Sequence, residues 1–311
     1  MKSAGTGNVK REHMGSLQHN KFIAVAGKKC QRAVCGSTNY SWRAFYVQSN
    51  NALVFTGSKT VTLFLDAFNQ YWASAKVVDF GKGTPATWRD SQLKGIDAKI
   101  AFSPHSSKNA LLQSIANDML TGTTSSLLYS LAFLYQTKGP IREAINKLTN
   151  NPKRFVYGLS DRKVGGITLQ KPNGNLVPLF PSNLIAKDVP PPFSAEPTGG
   201  SGIRLHHKFV VIDFDKPTAR VYVGSYNFSK PADLANGENL LVIRDRRVAV
   251  SYAVEAVSML DHYHFRVAQL EAKTAKKKLE LARPPSKPGD KAWFDEDYTD
   301  IEKIRDRQLF S

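Results

Sequence analysis

Residues that cross-link a chain or anchor it in a membrane are scarce in this sequence. Only two of the 311 residues are cysteine, Cys30 and Cys35, and their spacing on one short stretch does not favour a bridge. This scarcity excludes a disulfide scaffold and indicates a reducing compartment. No run of about 18 apolar residues occurs, so no transmembrane segment is predicted. The polar residues 1–18 lack the apolar stretch of a secretory signal, and we expect a cytoplasmic protein.

Acidic residues are also in short supply. The chain has 26 aspartates and glutamates against 43 lysines and arginines, which gives a net charge of +17 and a pI near 9.8. Such a charge favours polyanionic partners, either nucleic acid or an anionic membrane surface. A basic, solvated surface without such a partner is the alternative. The 311 residues are enough for two domains, and the 41% that are apolar are enough for a sizeable core.

One stretch of sequence occurs twice. HHKFVVIDF begins at His206, and HNKFIAVAG begins at His19. Each copy is followed by a GSxN word, GSYN in the second and GSTN in the first. The offset is 187 at the histidines and 188 after one extra residue in the second copy. The paired positions are His19 and His206, Lys21 and Lys208, Ser37 and Ser225, Asn39 and Asn227, Asn50 and Glu238, and Asn51 and Asn239.

The spacing inside each copy indicates a site for phosphate. Because strand side chains alternate between faces, His206 and Lys208 share a face and His207 points to the other one. Ser225 and Asn227 share a face for the same reason. A histidine, an ammonium, a hydroxyl and a carboxamide together supply a nucleophile or proton donor, a cation and hydrogen-bond donors, which suit a phosphate group.

The two repeated motifs resemble those of the phospholipase D superfamily, whose signature is HxKxxxxD followed by GSxN. The second copy matches the signature throughout, whereas the first departs once, with Ala26 in the place that Asp213 takes in the second. The resemblance is direct over about 19–75 and 98–270 and weak elsewhere.

The resemblance implies an α/β two-lobe fold with mixed central sheets flanked by helices, with the site at the seam between the two motif strands. It also implies a phosphodiester hydrolase that needs neither a metal nor a cofactor. One histidine attacks the phosphorus to form a phosphohistidine, and the other protonates the leaving oxygen. The residues expected to bind the non-bridging oxygens are Lys21, Lys208, Asn39 and Asn227, with Ser37 and Ser225 supporting the turns.

The carboxylates of the second copy have different expected roles. Asp213 lies seven residues after His206, an odd spacing, so we expect a structural group on the opposite face. Glu238 can hold a histidine ring and stabilise its charge, whereas its counterpart Asn50 can only orient one. A pair of Glu238 with His206 would make His206 the nucleophile. In two-copy family members the N-terminal histidine is often assigned instead, so both roles stay open. Further supporting residues are Asn50, Asn51 and Asn239.

Residues before the second motif form a pattern that the first motif lacks. Strands are predicted at 99–102, 125–134 and 154–159 and helices at 111–119 and 140–149, which is the front end of a complete lobe. Compared with this lobe, the first lacks about a hundred residues ahead of His19. An incomplete N-terminus is the favoured explanation, and a partner subunit that supplies the strands is the alternative.

The predicted organisation has five parts. The first motif is expected on strands at 20–26, 31–36 and 50–55, followed by a helix at 58–75; a long helix at 248–270 follows the second motif. The parts are a polar arm at 1–18, a partial first lobe at 19–80, a linker at 81–97, a second lobe at 98–272 and a basic, Pro-rich tail at 273–311.

Three peripheral features complete the predictions. The long irregular segment 161–205 is expected to line or cap the site, with Arg204 and Lys187 as phosphate contacts; a solvated insertion is the alternative. In the helix at 248–270, His262 and His264 are two residues apart and face different directions, so we expect no metal site. The tail is expected to dock through its aromatic residues, which are Trp293, Phe294 and Tyr298.

Three functions fit these observations. A nuclease-like phosphodiesterase is favoured by the charge, with nucleic acid preferred over phospholipid as the substrate. A phospholipase D acting on phospholipid headgroups would need an apolar interfacial surface, for which the apolar patches 177–180 and 190–193 are candidates. A catalytically weak relative that only binds polyanions is supported by Ala26, Asn50 and the short first lobe. The oligomeric state stays open.

Overall fold

The protein folds into two β-sheets flanked by helices, which confirms the predicted mixed α/β class. The computed structural model describes residues 2–134, 138–161, 167–170, 176–179, 204–277 and 283–311.

The first sheet has three antiparallel strands in the order β1-β2-β3. A short helix, α1, connects β2 to β3, and the amphipathic helix α2 packs against the sheet through Val61 and Phe64, which are buried. The elements are β1 (Phe22–Ala26), β2 (Gln31–Gly36), α1 (Trp42–Tyr46), β3 (Ala52–Thr56) and α2 (Ser58–Ala73).

The second sheet contains nine strands, and all of its neighbouring pairs are antiparallel except one. That exception joins β6 and β7, whose connection passes through the helix α5, as a parallel pair requires. The elements in chain order are α3 (Val77–Gly81), β4 (Arg89–Asp90), β5 (Asp97–Ser103), α4 (Leu112–Gly122), β6 (Ser126–Leu131), α5 (Pro140–Thr149), β7 (Phe155–Asp161), β8 (Ile167–Gln170), β9 (Leu176–Leu179), β10 (Lys208–Ile212), β11 (Arg220–Gly224), α6 (Lys230–Leu234), β12 (Glu238–Arg244) and α7 (Arg246–Thr274).

The strand order of the second sheet is β4-β5-β12-β11-β10-β6-β7-β8-β9. The strands β10, β11 and β12 of the second motif are therefore central, and β1, β2 and β3 are their counterparts in the first motif. Predicted and observed bounds of the shared elements agree to within four residues. The segment 81–97, which we predicted as a linker, contributes β4 to the edge of the second sheet. The five-part division of the chain stays a prediction.

Two hydrophobic cores lie against the second sheet because its central strands are buried on both faces. Phe209 and Val211 of β10 belong to the inner core, which also contains residues of the first sheet, α2 and α7. Val210 and Ile212, on the opposite face of β10, belong to the outer core that α4 and α5 cover.

The outer face of the first sheet has no such cover within the described residues. Ile23 and Val54 are 49% and 64% exposed, whereas their counterparts Val210 and Val242 are 0% and 2% exposed. Ahead of β1, the described residues 2–21 contain two short 3-10 turns and no strand. This arrangement agrees with the predicted element count for the first lobe.

The C-terminal tail docks differently from the prediction. Trp293 and Phe294 pack against each other and Tyr298 packs against Arg307, all within the tail, so the expectation that these three residues anchor the tail is wrong. The contact is instead made by Phe310, after the helix α9 (Ile301–Leu309), whose ring packs edge-on against Phe155 of β7. The three exposed aromatics lie on and beside the acidic helix α8 (Glu296–Thr299), which has no buried residue.

No helix in the described ranges is both long enough and apolar enough to span a bilayer.

In the part of the chain that the structure describes, only the second sheet is covered on both faces. The same substitution should therefore destabilise the protein much less at Val54 of the first sheet than at the matched Val242 of the second. We expect Val54→Lys to change the free energy of unfolding by no more than about 0.5 kcal/mol and to reduce binding of the dye ANS, because it places a charge on an exposed apolar face. Val242→Lys should cost about 3 kcal/mol or more, because it buries an unpaired ammonium. Urea denaturation with ANS fluorescence measures both, and similar destabilisation in the two variants would contradict the prediction.

Candidate active site

The two motifs meet at a seam formed by backbone hydrogen bonds between the copies. The backbone N–H of His19 donates to the carbonyl of Gly237 at 2.8 Å, and that of His206 donates to the carbonyl of Ser49 at 3.0 Å. Gly237 and Ser49 are themselves matched positions of the repeat. This seam places the ring centroids of His19 and His206 6.4 Å apart.

His19 is held by a carboxylate from the other copy. Its Nδ1 lies 2.7 Å from Oε2 of Glu238, which is fully buried. The hydroxyl of Ser225 donates to the same oxygen at 2.8 Å, and the amide of Asn236 donates to Oε1 at 3.3 Å. Of the two histidines that Glu238 could hold, the structure pairs it with His19, because the seam sets Gly237, next to Glu238, against His19. Without this carboxylate, His206 has no local feature that favours it as the nucleophile.

His206 is held by neutral groups of the first copy. Its Nδ1 lies 2.9 Å from Oδ1 of Asn50 and 3.0 Å from the carbonyl of Ser37, and as both are acceptors, Nδ1 carries a proton. Burial, followed by the charges of Lys208 and Lys21, lowers the pKa of His206 to about 2. The two histidines thus differ, since one has an anionic partner and the other has an amide.

Both motif lysines are buried beside the histidines. The Nζ of Lys21 donates to the carbonyl of His19 at 2.5 Å, and the Nζ of Lys208 donates to that of His206 at 2.8 Å. Burial lowers the pKa of Lys21 to about 8, although Glu238 opposes this shift. Burial and the neighbouring Lys21 hold the pKa of Lys208 well below its usual range. Two buried ammonium groups in one site are suited to binding an anion.

A buried carboxyl group, Asp161 at the end of β7, lies near Lys208. Burial raises its pKa to about 7, while the backbone N–H groups of Arg204 and Leu205 and the charge of Lys208 oppose this shift. No sequence pattern marks Asp161 as part of the site, because it precedes the second motif by 45 residues and belongs to no motif of its own.

The serines of the two GSxN words fix the turns that follow β2 and β11. The backbone N–H of Asn51 donates to the hydroxyl of Ser37 at 3.0 Å, and the N–H of Asn239 donates to that of Ser225 at 3.0 Å. The backbone N–H groups of the same serines donate to the carbonyls of Asn51 and Asn239, again at 3.0 Å. These reciprocal bonds tie each turn to the next strand.

The asparagines of these words, Asn39 and Asn227, lie in the same turns and are half-buried. Oδ1 of Asn227 is buried and has no hydrogen-bond partner. This oxygen is therefore an acceptor that a ligand or water could use.

Asp213 lies at the other end of β10 from the histidines. It accepts hydrogen bonds from the backbone N–H groups of Thr124, Ser125 and Ser126 and from the hydroxyls of Thr124 and Ser125. Burial acts to raise the pKa of Asp213, but these donors hold it below the usual value. These contacts are those of a structural group, and Ala26, its exposed counterpart, makes none of them.

A second pair of contacts lies behind the histidines. The amide of Asn51 lies 3.0 Å from Nδ1 of His207, and the amide of Asn239 donates to Oδ1 of Asn20 at 3.1 Å. His207 also contacts Glu255 of α7, with 3.2 Å between Nε2 and Oε1. The motif spacing predicts no role for His207, Asn20 or Glu255, although His207 and Asn20 both directly follow a motif histidine.

The remaining sequence candidates have little described structure. Arg204 is partly buried, and its carbonyl accepts a hydrogen bond from Ser49 at 2.8 Å. Lys187 and most of the segment 161–205 lie outside the described residues. Among the residues that the structure does describe, no cluster of ligands suited to a metal ion occurs at His262, His264 or elsewhere.

A family profile and curated relatives match the chain. The profile described as "Cardiolipin synthase, PLD-like domain" matches residues 187–260, which contain the whole second motif. "Phospholipase D" of Rickettsia felis and "Phospholipase D" of Rickettsia prowazekii are each 45% identical over 47 residues. The resemblance to the phospholipase D superfamily is thus confirmed over the second motif.

These matches cover only parts of the proteins. The Rickettsia matches span 15% of this chain and 22% and 21% of the two relatives. Nuc from Salmonella typhimurium, a phospholipase D family member of known structure, is 19% identical, with a TM-score of 0.32 over 54% of this chain and 95% of Nuc. Polyphosphate kinase from Porphyromonas gingivalis is 13% identical, with a TM-score of 0.41 over 96% of this chain and 40% of the kinase.

The lowered pKa of Lys21 predicts the pH dependence of anion binding at this site. Lysine is charged below its pKa, so sulfate should bind more weakly as the pH rises through about 8. Sulfate is a suitable probe because its own charge is constant over this range. Calorimetric titration at several pH values measures the effect.

Two lysine variants serve as controls for the sulfate experiment. Lys21→Met should remove the change in affinity near pH 8, whereas Lys59→Met, on the exposed side of α2, should retain it. A sulfate affinity that stays constant from about pH 7 to 9 in the wild type would refute the assignment of this step to Lys21.

Proposed function

We propose that the protein is a metal-independent phosphodiesterase that acts through a phosphohistidine, with nucleic acid as its substrate. The observation that carries this proposal is the crossed pair of histidines, His19 on Glu238 and His206 on Asn50, beside two buried lysines. The arrangement supplies a nucleophile, a proton donor and two cations without a metal.

In this mechanism His19 is the nucleophile. Its Nδ1–H donates to Glu238, which leaves the lone pair of Nε2 for the phosphorus. The bond from Nε2 to phosphorus forms as the bond to the leaving oxygen breaks, and His206 gives that oxygen its proton. The carboxylate of Glu238 stabilises the positive charge that develops on the ring. Water then attacks the phosphorus and gives a proton to His206, and the bond to His19 breaks.

The substrate itself enables His206 to act as an acid. Without an anion, burial and the charges of Lys208 and Lys21 keep the pKa of His206 near 2, and the ring is neutral. A bound phosphodiester brings a negative charge next to the same lysines, so the protonated ring becomes more favourable. In the proposed mechanism His206 therefore takes up its second proton together with the substrate.

Nucleic acid is the favoured substrate because of the net charge of +17. A phospholipid is the second candidate, and one observation supports it. The helix α1 exposes Trp42, Phe45 and Tyr46 at 69%, 60% and 68%, and its Ala44 carbonyl accepts a hydrogen bond from Asn50 of the site. Aromatic side chains with basic neighbours are typical of surfaces that rest on a membrane.

A relative that only binds polyanions is the third candidate. The departure at Ala26 does not support it, because the matching Asp213 makes structural contacts far along β10 from the histidines. Asn50 is also compatible with catalysis, since an acid histidine does not need an anionic partner in the proposed mechanism.

Turnover of bis(p-nitrophenyl) phosphate in EDTA tests the proposed reaction. The wild type should remain active, and His19→Ala and His206→Ala should each lower kcat by about 10² to 10⁴-fold or more, because each removes a nucleophile or a general acid. His13→Ala, an exposed histidine ahead of the motif, is the control and should be active. Activity that needs a metal, or that survives in both His19→Ala and His206→Ala, would contradict the proposal.

The substrate class is tested by comparing nucleic acid and phospholipid vesicles. Cleavage of single-stranded DNA should occur at low salt and fall steeply, by about 10³-fold or more between roughly 50 and 200 mM salt, because bound phosphates release counterions. The triple variant Trp42→Ser, Phe45→Ser, Tyr46→Ser should leave DNA cleavage unchanged. Release of headgroups from anionic vesicles, lost in that variant, would favour the phospholipid instead.

A further inference from the structure

His207 is buried on the face of the motif strand opposite His206. It is 1% exposed, and its ring packs edge-on against Phe209. Its two ring nitrogens contact different parts of the fold, Nδ1 the amide of Asn51 at 3.0 Å and Nε2 the carboxylate of Glu255 at 3.2 Å. A buried histidine with a defined partner for each nitrogen has a fixed orientation.

These partners also determine the tautomer of His207. Burial lowers its pKa, although the hydrogen bond and charge of Glu255 oppose this shift, and the ring is neutral. The contact is made by Nδ2 of Asn51, which can only donate, so Nδ1 of His207 accepts and its proton lies on Nε2, which donates to Glu255. The ring therefore links Asn51 of the first copy to Glu255 on α7.

The first copy has a different arrangement at the matched positions. Asn20 stands in place of His207 and accepts a hydrogen bond from Asn239 at 3.1 Å. Ala67 stands in place of Glu255, at the offset of 188, so the first copy has no carboxylate there. His19 thus contacts the carboxylate of Glu238 directly. The carboxylate nearest to the other histidine is that of Glu255, which contacts His207 and not His206.

The contact between Asn50 and His206 and the contact between Asn51 and His207 are coupled through the backbone. Asn50 and Asn51 are adjacent, as are His206 and His207, so the two hydrogen bonds that join these pairs lie on opposite faces of the same crossing. Adjacent residues share one backbone, so a shift of Asn51 also shifts Asn50. Losing the bond between Asn51 and His207 would leave Asn50 held on its own side, by the carbonyls of Ala44 and Gln48, and would loosen its contact with His206.

We propose that His207, held by Glu255, is a positioning residue for the reaction: through Asn51 it keeps Asn50 against Nδ1 of His206 and so keeps His206 in the tautomer and orientation that proton donation needs. This inference rests on the proposed function of His206. His207 touches no substrate in this role, and it acts through the neighbouring pair.

The test is His207→Leu, which fills similar space without ring nitrogens. Turnover of bis(p-nitrophenyl) phosphate should show kcat lowered by about 10 to 100-fold with little change in KM, measured well below the melting temperature of each variant. His207→Asn, the residue of the first copy, should recover part of kcat because its carboxamide can accept from Asn51. Asn51→Ala should lower kcat in the same way, and combining it with His207→Leu should add little. His264→Leu, on an exposed part of α7, is the matched control.

Nuclear magnetic resonance of the His206 ring separates this inference from the proposed function. In the wild type His206 should be the Nδ1–H tautomer, and in His207→Leu it should become a mixture. This change in an inactive wild type would support the positioning role and refute the proposed function. An unchanged His206 tautomer, or an unchanged kcat in an active enzyme, would overturn the positioning role.

Discussion

The seam between the two copies is the constraint on which the site depends. Two backbone hydrogen bonds, from His19 to Gly237 and from His206 to Ser49, set each histidine against the other copy. Each ring therefore takes its Nδ1 partner from the other motif, and neither copy can form the site alone. The crossing also explains why Glu238 can be fully buried, since three groups from two parts of the chain donate to or pair with its oxygens.

The repeat produces a site whose two halves have different chemistry. At one pair of matched positions the second copy has Glu238 and the first has Asn50, and this difference gives one histidine an anionic partner and the other an amide. In the proposed mechanism the two histidines therefore have opposite tasks: His19 is a nucleophile that must bear charge, and His206 is an acid that must lose a proton. Behind the two histidines, Asn51 of the first copy contacts His207 of the second, and Asn239 of the second contacts Asn20 of the first. Here the ionisable ring is on the side of His206 and the amide is on the side of His19.

The buried lysines indicate what the site is built to receive. Burying Lys21 and Lys208 without a full set of anionic partners is unfavourable, as their lowered pKa values show. In the proposed function a phosphodiester offsets this cost, because its negative charge lies beside the two ammonium groups. In the proposed function the same two buried lysines therefore account for both phosphate binding and electrostatic preorganisation of the site.

The sequence by itself determined the features that depend on local order. Alternation along a strand placed His206 with Lys208 and His207 on the other face, helical spacing predicted α2 and α7, and the repeat predicted that two motifs meet. Only the tertiary structure decided that Glu238 holds His19, that Asp161 approaches Lys208, that residues 81–97 extend the second sheet and that Phe310 docks the tail. Periodicity records which face of its own element a residue occupies, whereas these contacts depend on the register and crossing of elements far apart in the chain, which no local spacing encodes.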